Sequence, residues 1–493
     1  MEMELFEDWL NGDVDWPHPG RTLLLLSSHM DQYGRGLVSR TSISPGNCCL
    51  AIPSNDFKLV LTPFRCANML NFCGCFRQLQ ISISLNPFHV LVLFFHHLIR
   101  PWLPSCPLAS IWKPYVSLLP SDYTDPAFVL TSNTCRGNSA EPFSFRSHDI
   151  HILIQKSLAR FQSTYDACSP LLFTPASSLS NADPAPVEFA WAWSTVNSRC
   201  VYCQLHENCS PPTPTFISSM AAFLQVPLEQ YCERIKLIPD RYSDTALIPF
   251  FDFLNHCPLV DSRLEVDRTG KAIQLFVQQS FGPGEQVLIN YGPHDNLTLF
   301  IEYGFSLLPS ENPHNAVYPS NIDLLQLFTS EYYHNAAQPA STSTRKWEPQ
   351  LCLILHDVLE QLGLSQASLS TSPVTWSSIC FSFEGASFHL SLLSYCVHQA
   401  VLSGCRYSEI PSSPSARHSI FSLPEQELLP VVQKPLNNLA KQLLRDTILD
   451  EQQLQTLALK VDSSKEMVIL RQCYNELKKV LLSRRSVLEN FIT

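Results

Sequence analysis

Residues 247–258 read LIPFFDFLNHCP and set three polar side chains, Asp252, Asn255 and His256, inside an apolar, aromatic run. On a helix, positions i, i+3 and i+4 share one face. A helical run would therefore bring a carboxylate, an amide and an imidazole together in low-dielectric surroundings. Burying polar groups without partners costs roughly 2–7 kcal/mol each. Protein groups or a ligand must hydrogen-bond to them.

Downstream, residues 263–292 read RLEVDRTGKAIQLFVQQSFGPGEQVLINYG, with a hairpin turn around Asp267 to Gly270 and a second turn at Gly282-Pro283-Gly284. A hairpin here returns Tyr291 beside the Asn255–His256 corner. Upstream, YGRGLVSRTSISPGNCCLAIP (residues 33–53) reads as strand, Pro45-Gly46 turn, strand. Gly34-Arg35-Gly36 is no dinucleotide loop, because such a loop opens a helix. Between the two β regions lies a long insert that includes the tryptophan-rich FAWAWSTVNSRCVY (residues 189–202). Strands on both sides of an insert imply a sheet completed by pairing across the sequence, hence an α+β fold.

After Tyr318 the spacing turns helical, broken by AAQPASTSTRK (336–346) and EIPSSPSAR (409–417), which are linker compositions. The stretch from residue 423 onward, rich in Leu, Gln, Glu, Lys and Arg at helical spacing, reads as a separate helical domain.

The 493 residues suffice for two or three domains, and 45% hydrophobic content suits a globular core. A net charge of -11 argues against a general nucleic-acid binder and fits a basic protein partner. The acidic start, MEMELFEDWLNGDVDWP, lacks a secretory pattern. The 18 cysteines are scattered through apolar runs, as reduced core thiols are. Both features lead us to expect a location in the cytoplasm, the nucleus or both. The apolar part of NPFHVLVLFFHHLIRPW (86–102) falls short of the roughly 20 residues a membrane span needs, and His89, His96, His97 and Arg100 interrupt it. It reads as a buried helix, with no membrane partner.

Some chemistries lack their motifs. There is no GxSxG elbow and no GxxxxGK[ST] loop. Cys200, Cys203, His206 and Cys209 are zinc-ligand types recurring at three-residue intervals. Structural zinc usually draws two close ligands from each of two separated segments, so core thiols and a loop histidine are the reading and no metal is expected.

DFLNH followed by NYGPHDNLTLFIEYGF resembles the Asn-His and Tyr-Gly motifs of SET-domain protein methyltransferases. GRGL and PGNCCLAIP resemble their opening strands. IWKPYVSLLPSDYTDP (111–126) and WAWSTVNSRCVY resemble the insert of the class that includes Rubisco lysine methyltransferase. Residues 62–110 and 131–151 depart from the family's pattern.

The resemblance implies a SET β-fold with a threaded C-terminal segment at residues 20–320, a helical insert at about 60–245, and an all-α substrate-binding domain at 321–493. It implies S-adenosylmethionine as cofactor, bound by Arg35, Gly36, Leu37, Arg199, Asp252, Asn255, His256, Tyr291 and Tyr303, with Tyr291 catalytic. Phe251, Phe253 and Phe305 are expected to line the substrate channel. The implied activity is protein-lysine N-methylation, on a partner with a reactive lysine such as a basic histone tail. No cysteine stands between Cys257 and Cys352, which excludes the zinc-bearing module that follows the Tyr-Gly motif in many histone methyltransferases. A protein-histidine methyltransferase and a non-catalytic peptide-binding module are the alternative readings. On the residues alone, Asn255 and His256 also fit a satisfied helix end, Tyr291 a strand tyrosine, and Arg199 a buried partner of Asp252.

Overall fold

A computed structural model describes residues 2–11, 22–30, 34–73, 82–101, 106–135, 144–172, 187–205, 212–320, 323–324, 379–402, 424–461 and 467–493. Residues 336–346 and 409–417 and the side chains of His206 and Cys209 lie outside these. The chain splits into two compact units, Met1–Ala140 with Ser157–Pro293 and Ile301–Gly304, and Glu141–Lys156 with His294–Phe300 and Phe305–Thr493.

In the first unit, β1 (Leu24–Met30) pairs antiparallel with β2 (Gly34–Ser39). The turn after it closes with Asn47 N–H donating to the Ser44 carbonyl at 3.1 Å. Gly46 takes φ 80° there, as a type II turn demands. The strand that follows, β3 (Cys48–Pro53), joins a sheet with two later ones, β9 (Ser262–Val266) and β10 (Ala272–Val277), in the order β3-β10-β9. AIQLFV alternates half-buried and buried side chains, so β10 takes the central place, with Leu275 opposite Leu50 on one side and Leu264 on the other. This is the pairing across the insert.

The insert is built on helices α2 (Pro63–Phe72), α3 (Pro87–Ile99), α4 (Leu108–Val116), α5 (Pro126–Cys135), α6 (His148–Cys168), α7 (Val187–Arg199) and α8 (Pro214–Leu224), with α1 (Glu2–Asn11) preceding β1. Short strands β4 (Ile83–Leu85) and β6 (Ile235–Leu237) pair parallel, and β5 (Val201–Tyr202) and β7 (Thr245–Ala246) antiparallel. Helix α3 begins at Asn86, whose side chain accepts the His89 N–H at 2.8 Å, with Pro87 in the first turn. It is buried on nearly every side, His96 and His97 included. Its Phe94 meets Trp112 at 5.4 Å and its Phe88 meets Trp193 at 6.2 Å between ring centroids. Among the described residues no helix is long and apolar enough to cross a membrane. Arg65 on α2 is fully buried, and its guanidinium donates to the carbonyls of Ser54, Asp56 and Val60 at 2.7–3.2 Å. A buried cation is tolerated when so satisfied.

Residues 247–258 are not the helix their spacing suggests. Pro249 has no N–H to give, and Phe250 takes φ 81°, which ends any right-handed run. A single 3₁₀ turn, Phe251–Phe253, follows, and then β8 (Asn255–His256), which pairs parallel with β11 (Leu288–Ile289).

In the second unit, α10 (Phe388–Leu402), α11 (Glu425–Lys460) and α12 (Val468–Ile492) pack around a core of Phe381, Leu390, Leu393, Leu436 and Val487. Arg484 on α12 pairs with Asp149 and donates to Thr447 Oγ1 at 2.9 Å. Among the described residues the unit is helical in the main. It also holds a small sheet, in the order β12 (Ala316–Val317), β13 (Phe381–Ser382), β14 (Gly385–Ala386). Strands of two residues carry no readable period.

Candidate active site

Parallel pairing sets Leu288 beside Asn255 and Ile289 beside His256. Tyr291, two residues further on, is thereby laid over the imidazole. Its backbone N–H donates to His256 Nδ1 at 3.1 Å, and the two rings lie 5.0 Å apart. The Tyr291 hydroxyl donates to the Leu254 carbonyl at 2.6 Å. Burial pushes the Tyr291 phenol well above its ordinary range, against the nearby Arg199 charge, so at neutral pH it is a hydrogen-bond donor and not a phenolate. Tyr303, at the end of α9 (Asn296–Tyr303), stands 5.0 Å from the Tyr291 ring. Burial, with Glu302 adding to it, pushes Tyr303 up to about 12.

Beside this pair lies a buried ionic group. Asp252 Oδ2 accepts from Tyr115 Oη at 2.6 Å and from Arg199 Nη1 at 2.9 Å. The same Nη1 also reaches the Asp252 carbonyl at 2.9 Å. The Asp252 side chain is fully buried and that of Arg199 is 16% exposed. Burial raises the Asp252 carboxyl, with the Arg199 charge opposing. Burial also works against the Arg199 charge, and Tyr123, Asp252 and Tyr115 around it more than offset that. The guanidinium 2.9 Å away favours the charged carboxylate against the cost of its burial. Asp252 Oδ1 and Arg199 Nε have no protein partner among the described residues.

These groups face a cavity of about 390 Å³ whose walls include Arg199, Phe251, Asp252, Tyr291 and Tyr303, with Leu264 and Leu275 from the central sheet. That volume lies within the range of roughly 300–1,000 Å³ usual for ligand pockets. The other expected residues sit elsewhere. Asn255 Nδ2 donates to the Arg35 carbonyl at 2.8 Å, which ties β8 to β2. His256 is spent on the Tyr291 backbone, and the buried Leu37 accepts the Val287 N–H through its carbonyl at 2.8 Å. Gly36 pairs with Ser27. Arg35 is half-buried, its guanidinium pulled down by burial and by Arg199. Phe253 packs against Phe6 and Tyr115, beneath the Arg199 guanidinium at 5.7 Å from the ring. Phe305 belongs to the second unit. None of these seven lines the cavity.

Tyr115 and Asn290 were not singled out in the sequence. Asn290 lines the cavity and donates to the Pro258 carbonyl at 3.1 Å; its place directly before Tyr291 was the available signal. Tyr115 reaches Asp252 from 137 positions away, and no local pattern marks it.

No family model matches the chain. In sequence it is 26% identical over 300 residues to SET domain-containing protein 4 of Homo sapiens, covering 60% of this chain and 57% of that protein. The chain thus spans little more than half of that relative. It is 42% identical over 130 residues to SET domain-containing protein 4 of Artemia parthenogenetica, 26% of this chain and 25% of that one. To the ribosomal lysine N-methyltransferase set10 of Schizosaccharomyces pombe it is 32% identical over 217 residues, 43% of this chain and 30% of that one. The crystal structure of the SET domain of LSMT bound to lysine and AdoHcy superposes with a TM-score of 0.51 at 16% identity, covering 99% of this chain and 91% of that one. The chain has the fold of the SET domain, and in sequence it is similar to SET domain-containing protein 4.

Proposed function

We propose that the protein is an S-adenosylmethionine-dependent protein-lysine N-methyltransferase, with Tyr291 as the catalytic residue. The observation that carries this reading is the Tyr291 hydroxyl at the Leu254 carbonyl, on the wall of an aromatic cavity and anchored from behind by His256. On this reading the SET domain lies within residues 20–320, interrupted at about 60–245, and residues 321–493 bind the substrate protein.

The residues suit the cofactor. Asp252 Oδ1 and Arg199 Nε are buried polar atoms without protein partners among the described residues, able to hold a zwitterion. Gly34, at φ 74°, leaves open space where a side chain would stand, so the backbone can be approached closely there. Asn255 and His256 fix the corner that joins this backbone to Tyr291. When bound, the cofactor supplies an electrophilic methyl on a sulfonium.

The chain's own residues prepare the nucleophile. A lysine amine has an ordinary pKa near 10.4; walls such as Leu264, Leu275 and Phe251 lower it by desolvation, so a neutral lone pair is available. The Tyr291 oxygen and the Leu254 carbonyl are acceptors for the amine's N–H groups and set its direction. The faces of Tyr291 and Tyr303 favour an arriving ammonium. Catalysis is then mainly positioning, which contributes up to roughly 7–11 kcal/mol in well-oriented systems.

The net charge of -11 favours a basic partner. The names of the Schizosaccharomyces pombe relatives point to ribosomal lysines, and histone tails share that chemistry. Incubating the protein with labelled S-adenosylmethionine and a whole-cell lysate, then locating the label by mass, tests the reading. Label on lysine of a basic protein is expected; label on histidine, or none with a folded protein, contradicts it.

A further inference from the structure

Away from that cavity, three metal-ligating side chains meet in the helical insert. Cys73 caps the end of α2, His97 lies in the last turn of α3, and Cys106 stands just before α4. Cys73 Sγ and Cys106 Sγ are 2.8 Å apart, and His97 Nε2 is 3.6 Å from the first and 3.2 Å from the second. Cys73 and His97 are buried, at 4% and 0% exposure, while Cys106 is half-buried and leaves a way in. We propose that Cys73, His97 and Cys106 form a binding site for a zinc ion, with a fourth position left for water or a further donor.

The donor set is that of borderline-soft zinc, which takes thiolates at about 2.3 Å and imidazole at about 2.0–2.1 Å in tetrahedral array. Such an array sets ligand atoms roughly 3.4–3.8 Å apart. The two imidazole–sulfur distances are already near this, and the sulfurs need to separate by about 1 Å, within reach of small side-chain rotations. A disulfide would instead close the sulfurs to about 2.05 Å and has no use for an imidazole that reaches both. The three ligands come one each from the ends of α2 and α3 and the approach to α4, so the ion would staple these three successive helices together. Helix α4 carries Tyr115, the partner of Asp252. The staple would thus brace the wall behind the active site from within residues 62–110, where the sequence departs from the family pattern.

The test uses the full chain, expressed with zinc and purified without chelators, its metal counted by plasma mass spectrometry. About one tightly held zinc per chain is expected for such a site. Exchange with cobalt should give thiolate-to-cobalt charge-transfer absorption. Cys106→Ser and His97→Ala should each lose the metal and the absorption, and Cys48→Ser should keep both. Metal-free wild type with titratable thiols, or a Cys73–Cys106 disulfide on non-reducing peptide mapping, would overturn the proposal. So would zinc retained in both variants, which would place it elsewhere, as on Cys200 and Cys203. If Cys106→Ser fails to fold, loss or retention of the metal in His97→Ala still decides.

Discussion

The hydroxyl of Tyr291 donates to the carbonyl of Leu254 at 2.6 Å, from a strand end that parallel pairing has laid beside the Asn255–His256 corner. One residue of the second β region thereby depends on the backbone of the first half of the site. Tyr291→Phe keeps the ring and its contact with His256 and removes only this donor. Methyl transfer should fall by about 100-fold or more, the scale of a lost positioning contact, while calorimetry shows cofactor binding retained. Unchanged turnover would remove Tyr291 from the chemistry.

Asp252 and Arg199 form a buried pair that Tyr115 completes. Asp252→Ala leaves the Arg199 charge buried without its counter-ion and should destabilise the fold by about 3–5 kcal/mol. Tyr115→Phe removes one hydrogen bond to a charged group and should cost about 1.5–3 kcal/mol. Urea unfolding of the two variants should preserve that order, and its reversal would mean that the carboxylate is not ionised in the fold.

Asp125 caps α5, its Oδ1 accepting the Ala127 and Phe128 N–H groups at 3.1 Å each. Burial raises its carboxyl from 3.8 to about 6, with hydrogen bonds from Ser194 and the backbone opposing. Between those values the folded state holds more protons than the unfolded state. This group's contribution to stability therefore falls as pH rises through the window and levels off above it. Asp125→Asn keeps an acceptor for the cap and should abolish the fall, stabilising the protein at pH 7 by roughly 1–3 kcal/mol. Thermal unfolding of both forms from pH 4 to pH 8 checks this; parallel profiles would contradict it.

Gly304 follows Tyr303 with φ 79°, and a Cβ there would stand 2.9 Å from Thr124 Oγ1 and 3.3 Å from the Asp125 backbone nitrogen. Gly304→Ala should cost about 1–2 kcal/mol from backbone conformation alone, with the crowding added to it. Because Tyr303 is the neighbouring residue and packs on Tyr291, methyl transfer should drop along with the unfolding midpoint. Full activity in a destabilised protein would show that Tyr303 does not position Tyr291.

The sheet was legible because the turns at Pro45-Gly46 and Asp267 to Gly270 carry turn chemistry next to its strands. The approach of Tyr291 to His256 followed from the hairpin between them, although parallel pairing of β8 with β11 makes the contact. The helical reading of residues 247–258 failed because i, i+3, i+4 spacing does not register the positive φ of Phe250 or the missing N–H of Pro249. Tyr115 with Asp252, and Cys73 with His97 and Cys106, were out of reach for a different reason. No periodicity joins residues that meet only when separate helices pack.

The decisive measurement sets calorimetric S-adenosylmethionine binding beside labelled methyl transfer for wild type, Tyr291→Phe and Asn255→Ala, each first shown to be folded. The account predicts binding and transfer by wild type, binding without transfer by Tyr291→Phe, and weakened binding by Asn255→Ala, whose amide ties the Arg35 backbone to β8. A folded wild-type protein that binds no cofactor and labels no protein would contradict it, and would leave the Asn255–His256 corner as structure alone.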